Sequence, residues 1–259
     1  MKIRIWMKRI TPVFISLGYQ NYKRKKRVNL YRGNKITCPV CGLKFEKFAP
    51  FGEKTNSCCP NCGSLNRHRI LWRYLNEKTD LFTKKTKLLH FAPEKGFYDQ
   101  FITHPTIEYV PCDYMPWFFR YEKKNKLIKV DVTNIPFEDN HFDVIICNHI
   151  LEHVIDDTRA MSELYRVLKK DGWAILQVPI DYDRETTYED FTITSPKERE
   201  KAFGQFDHVR YYGRDYKNRL EKAGFKVDVN DYFKSFSSED LQQNGISSEL
   251  SELIYHCKK

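Results

Sequence analysis

From about residue 87 onward, short apolar runs alternate with longer segments in which apolar residues recur every three or four positions. The runs at 87–91, 107–111, 126–131, 142–147, 172–178, 225–232 and 253–257 read as strands. Several are continuously apolar, as expected for strands covered by helices on both faces. Residues 157–168 set Ala160, Met161, Leu164, Tyr165 and Leu168 on one helical stripe, and Lys169, Lys170, Asp171 and Gly172 supply a basic end and a turn. A further helix is expected over 213–223, stopped by Gly224. This alternation predicts an α/β domain with an open, mainly parallel, seven-stranded sheet.

The first third of the chain is patterned differently. Residues 65–80 predict a helix with Leu65, Ile70, Leu71, Trp72, Tyr74 and Leu75 on its apolar side and Arg67, Arg69 and Arg73 towards solvent, capped by Ser64 or Asn66. Residues 36–64 are rich in turns. Residues 1–35 form a basic lead-in that fits a short amphipathic helix, with Pro12 breaking any single long one. The expected organisation is therefore a basic segment (1–35), a small module with its helix (36–80) and an α/β domain (81–259) carrying an insertion around 179–212.

Charge sharpens this division. Residues 1–87 carry 21 Lys or Arg against 4 Asp or Glu, whereas residues 88–259 carry 23 against 30. A basic N-terminal surface of this kind suits RNA or an anionic membrane surface as a partner. Charges interrupt every apolar run before the roughly 20 residues needed to span a bilayer, and residues 10–19 lack the apolar core and cleavage site of a secretory signal. A cytoplasmic location is expected, with peripheral attachment at the inner membrane surface open to Ile3, Ile5, Trp6, Ile10, Val13, Phe14 and Leu17.

Two C-P-x-C-G turns, Cys38–Gly42 and Cys59–Gly63, carry the clearest chemistry in this region, with seventeen residues between Cys41 and Cys59. Four thiolates suit tetrahedral zinc, each turn aims two sulfurs inward, and its glycine accepts an unusual backbone conformation. Cys38, Cys41, Cys59 and Cys62 are the expected ligands of a structural Zn2+ in a zinc-ribbon-like module; disulfides are the alternative. Cys58 competes with Cys59, but only Cys59 completes the repeated motif. Such a clip brings together the basic lead-in, Arg67, His68, Arg69 and the entrance of the α/β domain.

Residues 88–96 (Leu-Leu-His-Phe-Ala-Pro-Glu-Lys-Gly), 107–113 ending in Asp113, 130–132 (Val-Asp-Val), 137–154 containing Asn148-His149-Ile150-Leu151-Glu152-His153, and 164–173 together resemble the class I S-adenosylmethionine-dependent methyltransferases, particularly the type-11 group. The resemblance covers roughly residues 87–259. It implies a Rossmann-like sheet binding S-adenosyl-L-methionine through the loops at its strand ends. Phe91, Ala92, Pro93, Glu94 and Gly96 would form the first cofactor loop, with Glu94 meeting the cationic amino group. Asp113 would take the ribose hydroxyls, Asp131 and Val132 the adenine region, and Asn148 and His149 the pocket wall. One departure stands out: the family often has several glycines in the first loop, where this chain has Ala92, Pro93 and Glu94 before Gly96.

For the acceptor, His153 on the helix after the fourth strand and His208 in the segment 204–213 are alternative proton acceptors, with Asp207 orienting His208. Arg210, with Tyr188 and Tyr212, would bind the substrate, Arg210 taking a carboxylate or phosphate. The leading expectation is methyl transfer to an oxygen or nitrogen of a small polar metabolite or surface-glycan sugar. RNA methylation and a noncatalytic S-adenosylmethionine-binding protein are the alternatives.

Overall fold

The computed structural model describes residues 13–118, 127–247 and 253–259. The expected contributions of Ile3, Ile5, Trp6, Ile10, Pro12 and Lys126 lie outside them. Seven strands form the central sheet: β1 (Thr86–Phe91), β2 (Ile107–Asp113), β3 (Ile128–Lys129), β4 (Phe142–Cys147), β5 (Leu168–Ile175), β6 (Lys226–Asn230) and β7 (Ile254–Lys258). Their spatial order is β6-β7-β5-β4-β1-β2-β3, and β7 runs antiparallel to both of its neighbours. Chain progression reverses between β1 and β4, which makes a crevice beyond their carboxyl ends. Pairing of Phe91 with both Cys112 and Cys147 brings the residues that follow these three strands to one edge.

The helices are α1 (Val13–Leu30), α2 (Asn66–Lys78), α3 (Lys95–Phe101), α4 (Asp157–Val167), α5 (Pro196–Phe203), α6 (Tyr216–Lys222) and α7 (Ser238–Gln243). None of the described helices is long and apolar enough to cross a membrane. The apolar strand residues alternate between two cores. Leu89, Phe91, Ile145 and Cys147 face α4 and α6, while Leu88, Val144, Ile146 and Ile175 face α2 and α3.

The second core does not stop at the α/β domain. It continues through Leu75, Leu71 and Ile70 into Phe45, Phe48, Val40 and the cysteines. The segment expected to be a separate module is therefore one layer of the same core, because it is too small to bury its apolar residues alone. Three expectations for α2 are corrected by this. Neither Ser64 nor Asn66 caps the helix; His68 Nδ1 accepts the Leu65 N–H instead (3.2 Å), and the Asn66 amide bonds the backbone of Ser247. Arg69 is not solvent-facing but 1% exposed. It donates from Nη1 to the carbonyls of Ser57 and Ser64 and from Nη2 to that of Gly245.

Candidate active site

The carboxyl ends of β1, β2 and β4 open onto a cleft of about 840 Å3 lined by Phe91, Ala92, Asp113, Asp131, Val132, His149 and His153. Two of its loops hold strained backbone. Ala92 and His149 have φ of 42° and 55°, a left-handed conformation that non-glycine residues keep only where the surroundings impose it. The Ala92 N–H donates to Cys112 O (2.8 Å) and the His149 N–H to Gln177 O (2.7 Å), which pins both turns to neighbouring strands. Ala92 thus holds a conformation that glycine adopts at no steric cost.

Asp113 is half-buried at the end of β2. Burial raises its carboxyl above the usual value, and the Met115 N–H bonding one of its oxygens (2.5 Å) opposes this only in part. Asp131 forms a tight turn by accepting the N–H and hydroxyl of Thr133 (2.9 and 2.7 Å). Asn148, 7% exposed, keeps Oδ1 buried without a partner, and so does Glu152 at Oε2. Neither residue is among those lining the cleft, so the expected place of Asn148 on the pocket wall is taken by its neighbour His149.

Pro93, Glu94 and Gly96 lie elsewhere. They line an adjoining cleft of about 600 Å3 that shares Ala92 and is walled by Arg24 and Arg27 of α1 and by residues 61–65 of the second cysteine turn. Glu94 pairs with His90 (3.0 Å) and, more distantly, His68 (3.9 Å). Burial would raise its carboxyl, but the His90 hydrogen bond and the two imidazole charges hold it down at about 2. The expected cofactor loop is therefore divided between two connected clefts.

The expected acceptor residues are rearranged more thoroughly. Arg210 is 1% exposed. It donates to the carbonyls of Leu151 (2.9 Å), Val154 and Ile155 (2.8 Å) and to Glu189 (2.8 Å), and it lies 3.6 Å from Asp157, so four of its five N–H groups are taken and the fork is buried away from a substrate. Tyr212 is also buried, its hydroxyl donating to Asp157 (2.7 Å). Both residues mould the loop that walls the cleft. Tyr188 lies at the surface in a two-residue ladder with Tyr211, under the Arg184 guanidinium. Asp207 does not orient His208. Its backbone O and Oδ1 face His153 Nδ1 (3.3 and 3.6 Å), while His208 Nδ1 bonds Phe203 O (3.1 Å). His153 and Asp207 line the cleft, and His208 stands edge-on behind His153, centroids 4.7 Å apart.

Residues 93–176 match the sequence profile of a family described as a methyltransferase domain. An uncharacterized protein of Methanocaldococcus jannaschii is 35% identical over 77 residues, 29% of this chain and 33% of that protein. A demethylmenaquinone methyltransferase of Streptomyces avermitilis is 39% identical over 71 residues, 26% of this chain and 31% of the relative. The matched part thus spans about a third of the length of these curated relatives. Among solved structures, an S-adenosylmethionine-dependent methyltransferase from Mesorhizobium loti superposes with a TM-score of 0.53 at 15% identity, covering 73% of this chain and 98% of that one. The fold is that of the class I S-adenosylmethionine-dependent methyltransferases.

Against this methyltransferase fold packs a four-cysteine cluster able to hold a metal ion. The sulfurs of Cys38, Cys41, Cys59 and Cys62 lie within 4.8 Å of one another. The Cys38–Cys62 and Cys41–Cys59 separations are both 3.7 Å. A tetrahedron with zinc–sulfur arms of about 2.3 Å has edges of about 3.8 Å, so the donor set fits. The two turns repeat one another. Cys38 N–H bonds Leu43 O and Cys59 N–H bonds Ser64 O (3.0 and 2.9 Å), and Gly42 and Gly63 return to the Cys38 and Cys59 carbonyls with φ of 71° and 77°. Cys58 is turned away, its sulfur near the carbonyls of Cys59 and Gly63. The cluster also packs against the start of α3: a Cβ on Gly96 would meet Val40 Cγ1 at 3.1 Å and Cys62 Sγ at 3.6 Å.

Burial lowers the His208 ring from its ordinary value, so it is neutral near pH 7. Its folded ring is harder to protonate than its unfolded one. Its contribution to stability is therefore present above about pH 6.5 and lost as pH falls below that. An NMR titration of the His208 ring should give a midpoint below 6.5; a higher midpoint would remove it as a neutral partner for His153.

Proposed function

We propose that this chain transfers the methyl group of S-adenosylmethionine to an oxygen or nitrogen of a small polar acceptor, a metabolite or glycan sugar, and that Cys38, Cys41, Cys59 and Cys62 hold a structural zinc ion. The observation that carries the reading is the cleft at the reversal of strand order, where Asp113 and Asp131 close two strand ends and Ala92 and His149 keep strained backbone against the same space. The relatives named as demethylmenaquinone methyltransferases support a small-molecule acceptor rather than a polymer.

The bound cofactor would supply a methyl group already activated by its sulfonium. This chain's residues bind, orient and manage the proton. Asp113 offers a carboxylate oxygen to the ribose hydroxyls, while Asp131 and Val132 border the adenine region. His153 is the better placed of the two histidines to accept an acceptor's proton. It lines the cleft, and Asp207 engages its Nδ1, leaving Nε2 as the receiving atom. His208 supports that ring from behind.

Calorimetry with S-adenosylhomocysteine tests the cofactor. Asp113→Ala should weaken binding by about tenfold or more, the scale of one lost hydrogen bond to a charged group, with an unchanged thermal midpoint. Folded protein that ignores S-adenosylhomocysteine yet binds a nicotinamide dinucleotide tightly would overturn the proposal.

A further inference from the structure

The two clefts described above continue into a third, and Arg67 stands where the second meets the third. The third cleft, about 610 Å3, lies between the cysteine-bearing layer and the chain leaving β5, with Phe51, Leu65, Val178, Ile180 and Tyr182 on its walls. It shares Phe51, Leu65 and Arg67 with the cleft beside Glu94, which in turn shares Ala92 with the cleft of Asp113. Shared wall residues thus set the three clefts side by side as one trough, from the Asp113 end to a pocket of mixed apolar and polar lining.

Arg67 differs from its neighbours on α2. The Nη groups of Arg69 are filled by three carbonyls, and Arg73 pairs with Glu77. Arg67 is half-buried; its Nε is buried without a partner, as is that of Arg69, but no ion pair reaches its guanidinium among the described residues. The nearest acid in the adjoining cleft, Glu94, is already committed to His90 and His68. Among the described residues the only acid on the third cleft, Glu53, is offset there by Lys54. Arg67 also sits in the first turn of α2, where the positive end of the helix adds to its field. Leaving a half-buried guanidinium without acceptors is unfavourable, and a ligand that supplies two oxygens removes the penalty.

We propose that Arg67 recognises the methyl acceptor, and that the acceptor is an anion whose carboxylate or phosphate takes the planar guanidinium fork while its apolar body or ring lies against Phe51, Val178 and Ile180. This rests on the methyl-transfer reading, and it moves acceptor recognition from the 179–212 insertion to the cysteine-bearing layer. A guanidinium pairs with such groups through two parallel hydrogen bonds, a geometry that lysine cannot reproduce.

The test uses the full-length, metal-loaded protein and three matched probes: benzoate, phenyl phosphate and neutral benzyl alcohol. Each is titrated by NMR with and without S-adenosylhomocysteine. At least one anion should bind about tenfold or more tighter than the alcohol, the scale of a charge-assisted pair, and the two anions separate carboxylate from phosphate recognition. Arg67→Gln should erase the preference while leaving S-adenosylhomocysteine affinity within about twofold, a change too small to signal a lost contact. Arg67→Lys, which keeps the charge, should retain part of it and guards against a folding defect in the first variant. Equal binding of anions and alcohol by the unaltered protein, or a preference that survives Arg67→Gln, overturns the proposal. If the anion preference depends on Arg67 but S-adenosylhomocysteine never binds, the anion site stands and the methyl-transfer reading falls.

Discussion

Replacing Cys59 with serine is expected to remove both the metal and much of the donor affinity. The four sulfurs already have the spacing of a closed tetrahedral site, and structural zinc in such sites contributes on the order of 10 kcal/mol to folding. That exceeds what the few apolar residues of the segment can supply. Removal of the ion leaves four thiols crowded together. Hydrogen bonds from its three neighbours lower the Cys38 thiol, and the same contacts push Cys59 and Cys62 up, so without a cation the set cannot ionise together. The damage should reach the cofactor cleft, because Gly96 packs on Val40 and Cys62 and Ala92 lies four residues before it. Metal analysis of purified protein should find one zinc per chain and none in the variant, with S-adenosylhomocysteine affinity reduced by about tenfold or more. A metal-free protein that keeps its fold and donor affinity would refute the structural role.

Arg210→Ala should destabilise the fold by about 3 to 5 kcal/mol, the range for removing one partner of a buried ion pair. It strands three carbonyls of the loop 151–155, and it leaves Asp157 supported by Arg219 and Tyr212 alone and Glu189 by Arg219 at 3.5 Å. Val154 and Ile155 wall the cofactor cleft, so donor binding should weaken too. Urea unfolding and calorimetry on the same variant decide the matter. An acceptor-binding arginine would instead leave stability unchanged and alter only the response to the acceptor.

Much of this architecture was legible in the residues themselves. Strand positions came from continuous apolar runs, because a sheet covered on both faces needs them, and β4 falls on the expected residues 142–147. The cysteine ligands followed from a repeated local motif whose geometry each turn fixes alone, and the structure brings together the four that the repetition selected. Asp113, Asp131 and His149 were placed by resemblance to the methyltransferase family, and the cleft at the strand ends brings the three together. In β3 the expected run of six residues shrinks to Ile128–Lys129, an edge strand with one neighbour to pair with.

What only the tertiary structure decided concerns charged side chains. From sequence, Arg67 and Arg69 are expected alike to face solvent, and Arg210 to bind the substrate. Burial separates them, because an arginine can enter a core only where carbonyls and carboxylates from distant segments converge on its fork. Arg69 meets Ser57, Ser64 and Gly245, and Arg210 meets the loop 151–155 and Glu189, so both are spent on structure. Arg67 meets no such convergence among the described residues and faces the trough. The local chain determined the strands, the cysteine turns and the strand-end acids, since each depends on neighbours a few residues away. Which cation is structural and which is available to a ligand depends on partners up to 176 positions apart, as for Arg69 and Gly245, and only the folded chain brings those together.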